Sequence, residues 1–308
     1  MDAFFVSVEE VLNPSLKNKP VIVGGNIDSR GVVAAASYAA RKYGVQSTMP
    51  IARAKRLCPH AIFLRSSHRL YSEYSAKVFE ILRSYSPLVE PMSLDEAFID
   101  LTGCGKLHGP VLKTAEIIRN EIKGQLGLNA SIGIATNKLI AKIASAYCKP
   151  NGMLWIAPGS EQQFLAPLPI KRIPGIGRKG TTKLNRMGVH SVADLARLPL
   201  EILEEIYGKW GASLYCKARG ISNSPVIAET KDPRSISRET TLDIDSIDPL
   251  FLESTLSYLT EKSAAQLRSS RLFAKTVTLK LRYSDFKTVT RSQILGWPTA
   301  ADLSLIHI

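Results

Sequence analysis

The stretch Pro91-Met92-Ser93-Leu94-Asp95-Glu96-Ala97-Phe98-Ile99-Asp100 decides the reading of the chain. It places two adjacent carboxylates, Asp95 and Glu96, inside an apolar run that continues to Leu101. The β-branched Ile99 and the alternation of Phe98 with Asp100 predict a strand after the pair. Neighbours in a regular strand point to opposite faces. Two carboxylates that serve one site therefore need a bend in the backbone, as in a tight hairpin. Acids among apolar side chains are costly to bury unless a cation or a donor compensates them. A divalent metal compensates both, and hard oxygen ligands suit Mg²⁺. Taken by itself, the dipeptide favours a plainer reading, a solvated Asp-Glu turn between edge strands. The rest of the chain changes that balance.

With 308 residues there is room for two or more domains with real cores. Hydrophobic content of 45% and charged content of 22% are ordinary for a globular protein. No apolar run reaches membrane-spanning length, and no signal peptide is read ahead of Met1. The cysteines, Cys58, Cys104, Cys148 and Cys216, are widely spaced without a C-x-x-C pair. That argues against a disulfide framework and a structural zinc, and it predicts a cytoplasmic location. The net charge of +13 points to a polyanionic partner. The excess is locally dense: residues 262–291 carry eight Lys or Arg and one acid, Asp285.

Working outward from the acidic stretch, helices are expected over residues 4–12, 37–43, 50–57, 69–85, 109–126 and 137–148. Short strands are expected over 20–25, 31–35 and 130–135. Strands alternating with helices up to residue 157 predict one α/β unit. Residues 159–222 read as small helices. A linker is expected over 223–234, with Pro225 and Pro233 and mixed charge. Beyond it a β-α-β-β pattern is expected: strand 235–243, helix 249–270, strands 276–283 and 286–295. That unit lacks a further helix to cover its sheet.

Two more clusters carry chemistry. Arg172-Ile173-Pro174-Gly175-Ile176-Gly177-Arg178-Lys179 is a glycine hairpin between helical stretches. Glycines let backbone approach a ligand closely, and N–H groups at a helix start can face a phosphate. Such a helix-hairpin-helix element grips DNA backbone without reading sequence; the competing reading is an ordinary Pro-Gly turn. Lys138 and Lys142 share a helix face by their spacing, just ahead of Lys149-Pro150-Asn151-Gly152. Tyr38 and Arg41 share one face of a short helix, and Arg suits bidentate contact with phosphate oxygens.

In order, MDAFFVSVE, SYAARKYGV, SLDEAFIDLT, ASIGIATNKLIAKIAS with KPNG, and IPGIG resemble the Y-family DNA polymerases, closest to the DinB type. The resemblance covers residues 1–295. It implies an α+β, right-hand polymerase architecture. The palm would comprise 1–10 and 68–157, the fingers 11–67 and the helical thumb 158–222. A partial α+β little finger would occupy 235–308. The resemblance gives Asp95 and Glu96 catalytic, metal-binding roles toward two Mg²⁺ ions. It makes Phe5 the steric gate under the incoming sugar, and Tyr38, Arg41 and Lys149 the triphosphate grip. Pro174, Gly175, Gly177, Arg178 and Lys179 become the DNA-binding hairpin. The small residues Ala34, Ala35 and Ala36 would leave room above the base pair.

The implied activity is low-fidelity translesion synthesis, by nucleotidyl transfer from a dNTP to a primer 3′-hydroxyl. Partners would be primer-template DNA, dNTP and a sliding clamp, with the enzyme a monomer. Proofreading is not expected. The family opens on an apolar strand ending in Asp-x-Asp; here the first Asp and its strand are not in the sequence, and Asp2 is not that ligand. Met1 could supply a backbone carbonyl. A gene fragment is the expectation at both ends, with residues 303–308 more apolar than the family pattern and extension at or near background. A non-catalytic DNA-binding protein is the alternative. A repair glycosylase using Asp194 after the hairpin is a third reading.

Overall fold

The computed structural model describes residues 1–26, 30–229 and 232–306. The chain divides into two compact units, Met1–Ile27 with Gly31–Thr230, and Asp28–Arg30 with Lys231–Ile308.

In the first unit, α1 (Phe4–Leu12) leads into β1 (Val21–Gly24), β2 (Val33–Ala36), α2 (Tyr38–Arg41), α3 (Ile51–Leu57) and β3 (Ile62–Arg65). The strands form a sheet of order β2-β1-β3, with β1 antiparallel to β2 and parallel to β3. Ser37 is the joint between sheet and helix. Its hydroxyl caps α2 by accepting from the Ala40 N–H at 3.1 Å, and it also accepts from the Val21 N–H and donates to the Lys19 carbonyl. Ile22, Val33, Ala36, Ala40, Ile51 and Ala54 are buried together beneath α2 and α3. Strand β3 was not expected. A four-residue apolar run without alternation gives periodicity nothing to detect.

Next come α4 (His68–Arg83), β4 (Val89–Pro91), β5 (Ala97–Ile99), α5 (Gly105–His108) and α6 (Val111–Leu126). Apolar faces of α1, α4 and α6 meet over Phe4, Val6, Val8, Tyr71, Val78, Ile118 and Ile122. Strands β4 and β5 form the expected antiparallel hairpin, with Glu90 opposite Phe98 and Pro91 opposite Ala97. The Glu96 carbonyl closes its turn by accepting from the Met92 and Ser93 N–H groups. Strands β6 (Ile132–Ile134) and β7 (Met153–Trp155) pair in parallel around α7 (Lys138–Tyr147). Gly133 is required there, because a Cβ would lie 2.1 Å from the Ala141 carbonyl oxygen.

Helix α7 also enters a core made with α8 (Glu161–Leu165), α9 (Arg178–Arg186), α10 (Val192–Arg197), α11 (Leu200–Tyr207) and α12 (Lys209–Ala218). Ile140, Ile143, Leu165, Ile173, Leu184 and Leu214 are buried in it.

The second unit contains α13 (Pro249–Ser269), β8 (Ala274–Arg282), β9 (Thr288–Thr299) and α14 (Asp302–Ile306). The expected strand over 235–243 does not form. This segment is held by side chains instead: Ile236 packs in the small core of Ala264, Leu267 and Leu305, Arg238 donates to Gln266, and Glu239 pairs with Lys280. Strands β8 and β9 form the antiparallel hairpin, with Thr278 opposite Ser292. The apolar end, which read as foreign to the unit, forms α14 and buries Leu305 in this core. Of residues 303–308, the last two lie outside the described residues, as do residues 230 and 231 of the expected linker.

Candidate active site

The turn between β4 and β5 presents Asp95 and Glu96 to a cavity of about 680 Å³, whose lining also includes Met1, Lys138, Lys142 and Lys149. The bend anticipated for two neighbouring acids is therefore present. Ser93 Oγ donates to Asp95 Oδ1 at 2.8 Å and fixes its rotamer. The Met1 amine donates to the Asp95 carbonyl at 2.6 Å. Burial opposes ionisation of Glu96. The hydrogen bond and charge of Lys142, 2.6 Å away, outweigh it with help from Lys149, so the carboxyl sits below its usual value. Beside this pair, Glu90 accepts from Lys138 Nζ at 2.6 Å and from the Ile227 N–H at 2.8 Å. Lys138 also donates to the Pro225 carbonyl and lies 5.1 Å from the centre of the Phe98 ring.

The donors that Asp95, Glu96 and the Met1 carbonyl bring to one cavity are all hard oxygens, which fits a divalent cation in kind. Among the described residues no three His, Cys, Asp or Glu side chains form a ready-made cluster. Asp2 is not a third donor. It is 2% exposed and does not line the cavity, accepting from Ser131 Oγ at 2.9 Å and from the Asn151 N–H at 2.7 Å.

The residues expected on the nucleotide side gather around the start of α1. Phe5 is half-buried and stacks on the fully buried Tyr71, with ring centroids 4.2 Å apart, while His68 meets its edge. Lys149 Nζ donates to the Met1 carbonyl at 3.0 Å. The Tyr38 hydroxyl is buried without a hydrogen-bond partner. Burial and the nearby Asp2 charge push its pKa up, so it stays a donor. Arg41 lies over the Tyr38 ring, 4.7 Å from its centre, and its Nε donates to the Ala36 carbonyl. Tyr38 and Arg41 thus stand together as a donor and a cation, a pair suited to an anionic ligand, with the Asp2 carboxylate close behind the phenol. Of the three alanines, Ala34 alone is exposed; Ala35 and Ala36 are core residues.

In the segment after α8, Ile173 and Ile176 are buried, so Pro174 and Gly175 stand out between them and Gly177 just after. Gly175 has φ of +100°, and Trp210 lies 3.5 Å from where its Cβ would be. Lys217 Nζ holds the Pro174 carbonyl at 3.2 Å. Gly177 caps α9 without a side chain, and the exposed face of α9 carries Arg178, Lys179, Lys183 and Arg186 with no acid. Asp194 instead forms a capping box with Ser191, which holds its pKa down at about 2 through the Ser191 backbone and hydroxyl hydrogen bonds. A carboxyl so committed to a helix start is a structural group, and the glycosylase reading has no base.

The bend at the two acids and the glycine hairpin are as sequence reasoning expected. That reasoning put Lys138 and Lys142 on one helix face without naming their partners, and the structure gives each a carboxylate. It missed Tyr71, Glu90, Trp210 and Lys217. These act through pairs 43 or more residues apart or through ring packing, and none leaves a local pattern.

Residues 1–146 match the impB/mucB/samB family and residues 233–308 its C-terminal domain. Residues 171–222 match the thumb domain described for DNA polymerase-iota. The chain is 48% identical over 307 residues to "DNA polymerase IV" of Dehalococcoides mccartyi (strain CBDB1), covering 100% of this chain and 78% of that one. It is 45% identical over 299 residues to "DNA polymerase IV" of Desulfatibacillum aliphaticivorans, covering 97% of this chain and 75% of that one. A solved Y-family DNA polymerase chimera of Dbh and Dpo4 superposes with a TM-score of 0.85 at 29% identity, over 99% of this chain and 91% of that one. An insertion ternary complex of Dbh DNA polymerase superposes with a TM-score of 0.71 at 29% identity, with the same coverage.

Proposed function

The chain belongs to the impB/mucB/samB family of Y-family DNA polymerases, of the DinB type, and on that premise we propose how its residues divide the reaction. It is a DNA-directed DNA polymerase that performs translesion synthesis, and it binds DNA and dNTP. Its fold is of the right-hand polymerase kind. In our assignment, residues 1–10 and 68–157 are the palm, 11–67 the fingers, 158–222 the thumb, 223–234 the linker and 235–308 the little finger. A non-catalytic DNA-binding role has no observation in its favour.

The primer 3′-hydroxyl attacks the α-phosphate of the dNTP and pyrophosphate leaves. Asp95, the free oxygen of Glu96 and the Met1 carbonyl would hold the divalent metal, assigned here as two Mg²⁺ ions. When bound, such ions supply charge neutralisation and lower the pKa of the attacking hydroxyl. The chain's own share is positioning and electrostatics. Ser93 fixes the Asp95 carboxylate. Tyr38 Oη, Arg41 and Lys149 take the triphosphate oxygens, and the buried, partnerless Tyr38 hydroxyl is the observation that carries this assignment. Phe5 lies under the sugar. The Pro174–Lys179 hairpin and α9 take DNA phosphates. Among the described residues no helix is long and apolar enough to cross a membrane. Cytoplasmic residence, a monomeric state and a sliding-clamp partner complete the proposal.

The test is Asp95→Ala. It abolishes primer extension and leaves primer-template affinity within about twofold, because the hairpin and α9 bind phosphates and not the ions. Loss of DNA binding together with activity would make Asp95 a structural residue and overturn the assignment.

A further inference from the structure

We propose that Asp2 is the positioning residue of the triphosphate site, tying together three elements that are remote in sequence. The proposal rests on the nucleotide-side assignment of Tyr38 and Lys149. The Asp2 carboxylate is buried, and an isolated buried carboxylate is costly unless donors surround it. Its donors come from separate places. Ser131, at the edge of β6, donates to both oxygens at 2.9 Å. The backbone N–H of Asn151 donates at 2.7 Å, from the turn that carries Lys149. The Gly152 N–H reaches Ser131 Oγ at 3.4 Å, so the same turn is held a second time. The Asp2 backbone is also engaged: its N–H donates to the Asn129 carbonyl, and its carbonyl accepts from Ser7 Oγ at 2.7 Å, inside the first turns of α1.

Tyr38 approaches the same carboxylate from α2, close enough for the Asp2 charge to raise the pKa of the phenol. One carboxylate thus sits behind Tyr38, behind the Lys149 turn and behind the start of the helix that bears Phe5. Asp2 is not among the residues that line the cavity of Asp95 and Glu96, although its partner Ser131 is. Asp2 touches neither metal nor nucleotide in this arrangement. It fixes where Lys149 and Tyr38 stand when the triphosphate arrives.

The experiment measures dNTP affinity without chemistry, as dNTP-dependent stabilisation of a complex between the full chain and a dideoxy-terminated primer-template. Asp2→Asn keeps the size of the side chain but turns an amide donor toward the Asn151 N–H or Tyr38. It is expected to weaken dNTP binding roughly tenfold, the scale of a lost charge-assisted hydrogen bond, with primer-template affinity within about twofold. Ser131→Ala leaves the carboxylate in place and removes one donor; it is expected to weaken dNTP binding by a smaller factor, about threefold. This variant carries the test if Asp2→Asn does not fold. Unchanged dNTP affinity in the folded variants overturns the proposal. So does a parallel loss of dNTP and primer-template affinity, which marks a merely structural carboxylate. Lys149→Met separates the two readings. If it leaves dNTP affinity unchanged, the nucleotide-side assignment has failed and the proposal falls with it. If it weakens dNTP binding while Asp2→Asn does not, only the role of Asp2 is overturned.

Discussion

Phe5 lies flat on Tyr71, the two rings 4.2 Å apart and 12° from parallel. Tyr71 is fully buried, and its hydroxyl donates to Glu9 at 2.7 Å. Glu9 stands one turn along α1 from Phe5, so helix, ring and hydroxyl close into one clamp. In its proposed role as the sugar gate, a ring held this way would not sink away from a 2′-hydroxyl, which is what distinguishes a ribonucleotide.

Phe5→Ala is therefore expected to raise ribonucleotide incorporation by roughly 10- to 100-fold relative to dNTP, the scale of steric discrimination in a pocket. Tyr71→Phe keeps the ring and leaves Glu9 without its donor. It is expected to relax discrimination by a smaller factor and to lower stability by about 1–2 kcal/mol. Competitive incorporation of matched ribo- and deoxynucleotides measures both. Equal discrimination in Phe5→Ala and the parent would remove Phe5 from the sugar site.

Glu90 gives a prediction in pH. Its burial opposes ionisation, but the Lys138 ion pair and the Ile227 N–H outweigh this, and its folded pKa lies below 4.5. A depressed carboxylate contributes stability that is present above the unfolded value and lost as pH falls through the folded one. Glu90→Gln should thus be less stable than the parent at pH 7 by roughly 1–3 kcal/mol, as for hydrogen bonds to charged groups. The gap should narrow as pH falls below 4.5 and close once pH passes below the depressed folded value, where the folded parent protonates Glu90. Urea denaturation from pH 3 to pH 7 reads this directly, and a gap independent of pH would show that Glu90 is not acting through its charge.

The exposed face of α9 predicts the salt dependence of DNA binding. Each phosphate neutralised by a Lys or Arg releases a counterion, and log affinity falls with log salt by about 0.9 per contact on B-form DNA. Lys179→Ala should reduce that slope by about 1 and weaken all sequences alike. Gly175→Ala should act differently. A Cβ at φ of +100° is strained and meets Trp210, so the hairpin itself distorts and affinity falls further than for the lysine. Primer-template titrations from 50 to 200 mM salt, roughly the range over which such contacts are resolved, separate the two. An unchanged slope in Lys179→Ala would take that side chain off the phosphate backbone.

How much of this was legible in the chain depends on how local each feature is. The bend at Leu94-Asp95-Glu96-Ala97 was readable because two neighbouring acids that serve one site need it, and that requirement sits within a few residues. The helices α1, α4, α6 and α7 were readable from their apolar spacing. The hairpin at Gly175 was readable from glycine and proline, whose backbone preferences are their own. Strand 235–243 was misread because a strand exists only when another edge accepts its hydrogen bonds, and here Arg238 and Glu239 reach α13 and β8 by side chain alone.

By itself, then, the sequence determined which chemical groups are present and which short segments bend, coil or extend, since those depend on residues a few positions apart. The tertiary structure alone decided which groups meet. Glu90 with Lys138, Glu96 with Lys142, Phe5 with Tyr71 and Asp2 with Ser131 and Asn151 are separated by 46 to 149 positions where hydrogen-bonded, and by 66 for the ring pair. The energy of a charge or a ring depends on what lies within a few ångströms of it, and burial of apolar faces elsewhere in the fold sets those neighbours.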